Sequence, residues 1–252
     1  MKFPAQRSRR WRAAVIGSAG FLVAVAAALG TGAASAGQTF GLLTTVNLDG
    51  APPCAVAFDS STGAVYAAFQ AASDGTSTCA INGGGSGGKL VSVNGSSATS
   101  PVSLDLYPTS LAVDPDTSTV YVGEFSGSAG EVQVFQDNTS QGLTFATNIG
   151  MPSGDVPYGI AVDPTNDAVY VATYNLTTLA GSVQLIAGAT NEIAKTIPLP
   201  AVYAPGNPAV DPGGVGIDPV THTVFVAPSH TSVELVGNSR INRMELGSAK
   251  SF

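Results

Sequence analysis

Side chains able to do chemistry are sparse in this 252-residue chain, and none stands in a catalytic spacing. The only imidazoles are His222 and His230. A Ser-His-Asp hydrolase would depend on His230, yet no nucleophile is marked near it. The His-x-Glu-His, Cys-x-x-Cys and Gly-x-Ser-x-Gly spacings are absent. Metal-assisted hydrolysis needs several converging carboxylates or histidines, and none is singled out, so neither a metal nor a cofactor is expected. Residues 82–88, Asn-Gly-Gly-Gly-Ser-Gly-Gly, lack the Lys-Ser/Thr ending of a phosphate loop. They read as a flexible connection.

What remains is a set of polar and aromatic side chains suited to binding. Glu124, Asp155, Tyr158, Tyr174 and Asn175 fall between apolar runs, as do Tyr203, Asn207, Asp211 and His230. As a sequence pattern they are loop residues, and their use depends on whether the fold gathers those loops.

A repeat supplies that fold. Pro53, Pro108, Pro157 and Pro212 are each followed after six residues by Asp59, Asp114, Asp163 and Asp218. Seven residues further on stand Tyr66, Tyr121, Tyr170 and Phe225. Successive Asp positions are 55, 49 and 55 residues apart. Strand-rich repeats of about 40–50 residues are propeller blades. In the third copy Tyr158–Val162 and Ala168–Ala172 are short apolar strands around a turn-forming stretch. Ser182–Ile186 and Ala194–Leu199 complete four strands, a to d from the axis outward. Pro198 suits an outermost edge, since it lacks a ladder donor. Ala57, Ala112, Ala161 and Gly216 keep strand a small where neighbouring blades converge. The recurring Asp is expected to accept hydrogen bonds from its own turn. Sites are usually unique, whereas scaffolding repeats.

The segments Gly159-Ile-Ala-Val-Asp-Pro164 and Ala168-Val-Tyr-Val-Ala172 resemble the YVTN-type β-propeller repeat, a relative of the NHL type. Leu111–Pro115 with Thr119–Val122, and Gly214–Pro219 with Thr223–Ala227, resemble it too. The first copy, Val56–Ser60, lacks the Pro. The resemblance implies an exported binding protein, with lactonases, lyases and redox enzymes as a minority among related propellers. It implies an all-β propeller of about four four-stranded blades.

The ends add three expectations. Residues 1–36 read as a cleaved export signal, with Arg7, Arg9, Arg10 and Arg12 before an apolar run and Ala34-Ser35-Ala36 as the cleavage site. Ser8-Arg9-Arg10 begins like a twin-arginine signal, but Arg12-Ala13 follows, which favours the general secretory route to a secreted or cell-surface location. Residues 37–252 then form the propeller, with five basic against 17 acidic residues, a net −12. Such a surface disfavours nucleic acid and anionic lipid. Cys54 and Cys79 are expected to pair across one face of the first blade, for about 3 kcal/mol on chain-entropy grounds. Thr45–Leu48 and Arg243–Leu246 both read as outer strands, one more than a closed four-blade ring holds, so a partial propeller is expected, cut short or closing as a homodimer, with a small closed ring of four blades as the alternative.

Within a propeller the d–a and b–c loops share one face, which places His230 opposite His222. The function expected is non-catalytic binding of a protein, glycan or small ligand on that loop face. The alternative is a lactonase-like hydrolase or lyase around His230, Glu124 and Asp155.

Overall fold

The computed structural model describes residues 22–24, 45–47, 52–70, 79, 87–138, 141–199, 212–228, 233–236 and 241–244. No helix occurs among them. A two-stranded antiparallel sheet pairs β1 (Leu22–Ala24) with β2 (Thr45–Asn47). Blade 1 contains β3 (Pro53–Phe58), β4 (Val65–Gln70) and β5 (Gly88–Asn94), edged by β6 (Ser97–Ala98) and β7 (Val102–Ser103). Blade 2 runs β8 (Tyr107–Asp114), β9 (Thr119–Phe125), β10 (Gly130–Asn138) and β11 (Gly142–Gly150). Blade 3 runs β12 (Asp155–Asp163), β13 (Ala168–Asn175), β14 (Gly181–Ala187) and β15 (Glu192–Pro198). Blade 4 runs β16 (Pro212–Asp218), β17 (Thr223–Pro228), β18 (Val233–Val236) and β19 (Ile241–Met244). Every pairing is antiparallel and, apart from β7 on β5 in blade 1, between sequence neighbours, so the chain is a β-propeller.

Blade-to-blade contact runs through the innermost strands, β3 to β8, β8 to β12 and β12 to β16. Side-chain alternation then gives blades 2 and 3 two buried faces each. Val120 and Val122 of β9 pack on Tyr66, Ala68 and Leu90 of blade 1. Tyr121 turns the other way, onto Val169 and Val171 of blade 3. Ala172 and Val183 meet Val224 and Val226 of blade 4. Each such side chain stabilises the fold by about 1.5–3 kcal/mol on burial, which is what holds the blades face to face. The first face of blade 1 is less covered. Val56 is 54% exposed, although its counterparts Leu111 and Ile160 are buried.

The Pro column marks a β-bulge at the start of every strand a. The register slips between Pro53 and Ala55, Pro108 and Ser110, Pro157 and Gly159, and Pro212 and Gly214. Proline fits there because a ladder donor is already lost at a bulge. Cys54 is the bulged residue of blade 1 and forms a disulfide with Cys79, with Cα atoms 5.2 Å apart. The Asp column accepts from its own turn throughout. Ser61, Asp116, Thr165 and Val220 donate backbone N–H groups to Asp59, Asp114, Asp163 and Asp218.

Of the two outer strands expected, one needs correction. β19 fills the fourth place of blade 4, as Arg243–Leu246 suggests. β2, expected as the outer strand of a blade, pairs instead with Leu22–Ala24, inside the segment read as a signal. The cause is apolar. Val46 packs on Val65, Phe69 and Val91, on the face of blade 1 that has no preceding blade.

Candidate functional site: a carboxyl pair on the loop face of blade 2

Expected in loops, the candidate residues that are described stand in strand ends instead. Glu124 lies in β9, Asp155 and Tyr158 in β12, Tyr174 and Asn175 in β13. Tyr158 is the bulged residue of blade 3. Tyr203, Asn207, Asp211 and His230 fall outside the described residues.

Glu124 is fully buried. It continues the Val120–Val122 face of β9, toward blade 1. The Leu106 N–H donates to Oε2 at 2.7 Å, while Oε1 is buried with no partner. Directly across the ladder, in β10, stands Glu131. Opposed residues of an antiparallel pair share a face with Cβ atoms about 4.5–5.5 Å apart, so the two carboxyls are neighbours. Burial pushes Glu124 up to about 8, against the Leu106 hydrogen bond and helped by Glu131 and Asp105. Glu131 is only half-buried, and its pKa is raised by burial and then by Asp105. Burial therefore favours the neutral acid more strongly at the fully buried Glu124 than at Glu131, which reaches toward solvent.

The surroundings keep this patch accessible on one side. Gly150 of β11 is the residue paired with Glu131 on its outer side. A Cβ there would meet nothing within 4 Å, so the space beside Glu131 is open at that point. On the inner side, Gly130 lets blade 3 approach closely, because a Cβ would strike the Asp155 carbonyl. Asp105 overhangs the same edge. Its Oδ2 accepts from Asn148 at 3.1 Å, and its N–H donates to Gln133 Oε1 at 3.3 Å.

Asp155 is different. Asn175 donates to its Oδ1 at 2.7 Å; Thr173 and Gln184 donate to Oδ2 at 3.0 and 3.2 Å. Gln184 in turn accepts from Thr196 at 2.6 Å. Asn175 Oδ1 also receives the Thr177 and Thr178 N–H groups, so it pins the β13–β14 loop. Asp155 and Asn175 are engaged in holding blade 3. The places of Glu124 and Glu131 are taken there by Thr173 and Ser182, and in blade 1 by Phe69 and Lys89. The carboxyl pair belongs to blade 2 alone among these three blades. Among the described residues no group of three His, Cys, Asp or Glu side chains could hold a metal ion.

Comparison with known proteins agrees with this architecture. A family model described as lactonase, 7-bladed beta-propeller, matches residues 96–206, the span of blades 2 and 3. No curated protein sequence matches the chain. Among solved structures, hydrazine synthase of Kuenenia stuttgartiensis superposes with a TM-score of 0.51 at 12% identity, covering 77% of this chain and 66% of that one. The periplasmic gluconolactonase of Pseudomonas aeruginosa superposes with a TM-score of 0.56 at 14% identity, covering 82% and 60%. At these identities the likeness concerns the fold, and the chain spans less than two thirds of either structure.

Proposed function

We propose that this propeller is an exported, lactonase-type hydrolase acting on a small cyclic ester at the loop face of blade 2. The Glu124–Glu131 pair carries the reading. Glu131 is the general base: half-exposed and ionised, it removes a proton from water as that water attacks the ester carbonyl, and returns the proton to the ring oxygen as the acyl C–O bond breaks and the ring opens to a hydroxy acid. Its raised pKa makes it a stronger base than an ordinary surface glutamate. Glu124 is the positioning residue behind it. Being neutral, it places no second negative charge beside Glu131 and lets that carboxylate stay ionised. The space left by Gly150 receives the substrate ring. The lactonase family match over this same span supports the reading, as does a disulfide suited to an oxidising compartment outside the cytoplasm. The YVTN-type repeats are consistent with export.

Binding without turnover is the second reading, favoured by the complete internal use of Asp155 and its donors. One assay separates the two. The purified chain is offered a five- or six-membered sugar lactone, and ring opening is followed by proton release. The enzyme reading expects turnover that falls by about 100-fold or more in Glu131→Gln, as for loss of a general base. Absence of turnover, with retained binding of the lactone or a glycan, would establish the scaffold instead.

A further inference from the structure

The opposite, turn-side end of each blade junction carries a second column of contacts. Ser118, Asp167 and His222 occupy equivalent places four residues after the turn aspartates. All three adopt left-handed backbone, with φ of 53°, 51° and 54°. Ser118 and His222 reach the turn of the preceding blade. Ser118 donates to Asp59 Oδ2 at 3.4 Å, and His222 Nδ1 meets Asp163 Oδ2 at 2.6 Å. In both junctions the Asp uses Oδ1 for its own turn and Oδ2 for the neighbouring blade. Between blades 2 and 3 the corresponding partners are Asp114 and Asp167. Asp114 Oδ1 accepts from the Asp116 N–H at 2.9 Å, but Oδ2 is buried with no partner. The Asp167 carboxyl sits against Gly188, in the volume that a side chain there would take.

Two carboxylates offer only acceptors, whereas the equivalent junctions each contain a donor. We propose that Asp114 and Asp167 bind a single proton between them, so that the Asp167 O–H donates to Asp114 Oδ2 and ties blade 2 to blade 3. The other groups facing the pair are Tyr121 from β9 and Asp116 from the same turn. Tyr121 is buried and its ionisation is suppressed by burial, then by Asp167 and Asp114. Asp116 is exposed. Among the described residues no Lys, Arg or His contributes to the Asp167 environment; burial and then Asp114 hold its carboxyl above the ordinary value. A raised carboxyl pKa in the folded state means that this junction is tightest in acid. Its contribution is complete below the ordinary aspartate range and is lost as pH rises through the folded pKa.

The test is the thermal midpoint of the full chain between pH 4 and 8, for wild type, Asp167→Asn and Asp114→Asn. Either amide supplies a permanent N–H donor, and Asn tolerates the left-handed backbone at 167. Both variants should show a flatter pH dependence than wild type, and at pH 8 Asp167→Asn should melt about 2–4 °C higher. An unchanged pH slope in both variants would overturn the proposal. So would a midpoint raised by calcium at pH 8 in wild type but not in the variants, which would mean that a cation bridges the pair.

Discussion

Blades 2 and 3 solve the same packing problem with opposite chemistry. Their backbones match strand for strand, and each buries a carboxyl at the loop-face end. In blade 3 the carboxyl is Asp155, at the first position of β12, where donors from β13 and β14 converge on both oxygens. In blade 2 the place of Asp155 belongs to Leu106, and the carboxyl has moved to β9 as Glu124. Only one of its oxygens is bonded, and another glutamate stands opposite. A satisfied buried carboxylate adds rigidity, while a half-satisfied one costs stability. Departures of this sort cluster at functional sites, which is why blade 2 and not blade 3 is assigned the chemistry.

The largest expected effect breaks the satisfied blade. Asp155→Ala removes the acceptor shared by Asn175, Thr173 and Gln184, leaving Ser182 as the remaining partner of the last two, and should cost about 1–3 kcal/mol, read as a lower urea midpoint. Catalysis should survive at temperatures where the variant is folded. A variant of unchanged stability would remove the contrast between the blades.

Glu124→Gln should act in the other direction. Because the folded pKa of Glu124 is raised to about 8, wild type gains stability as pH falls and loses it as pH rises from about 4.5 toward about 8. An amide carries no such proton, so the difference in melting temperature between pH 5 and pH 8 should shrink. The same substitution should leave the acid limb of kcat/KM, set by Glu131, in place. It should abolish the alkaline fall expected of wild type near pH 8, where a second negative charge would appear beside the base. A wild-type profile flat through pH 8 would contradict the division of roles.

The smallest effect on stability comes from Gly150→Leu. The position is open and its backbone needs no glycine, so the change should stay within about 0.5 kcal/mol. It should nonetheless lower kcat/KM markedly by filling the space beside Glu131. Full activity in this variant would place the substrate elsewhere.

Much of the scaffold was legible in the sequence, for identifiable reasons. Turn aspartates act locally, within two or three residues, so Asp59, Asp114, Asp163 and Asp218 announce their role by spacing alone. The Cys54–Cys79 link followed from which loops share a face. The Pro column was visible as a repeat, but its meaning as a bulge needed the pairing register. Glu124 and Asp155 read as loop residues because polar positions at strand ends break the apolar alternation. Glu131 gave no signal at all: its significance lies in standing opposite Glu124, and cross-strand register is not written in either segment alone. Aligning the strand c segments of the repeats, which sets Glu131 against Lys89 and Ser182, would have marked it as the odd member. The contacts of Ser118, Asp167 and His222 were hidden for a similar reason. Ser118 and His222 reach into the preceding blade, and His222 read as an isolated turn residue until its partner Asp163 was seen.

The central claim is that the two opposed glutamates of blade 2 hold different charges near neutral pH. Carbon-13 labelling of the glutamate carboxyls, with resonances assigned through Glu124→Gln and Glu131→Gln, tests it by direct titration. The account predicts that the Glu124 resonance titrates with a midpoint near 8, and that Glu131 titrates below it but above the ordinary glutamate value. Both resonances titrating together near 4.5 would contradict it, since the pair would then be two ordinary carboxylates with no acid held beside a base.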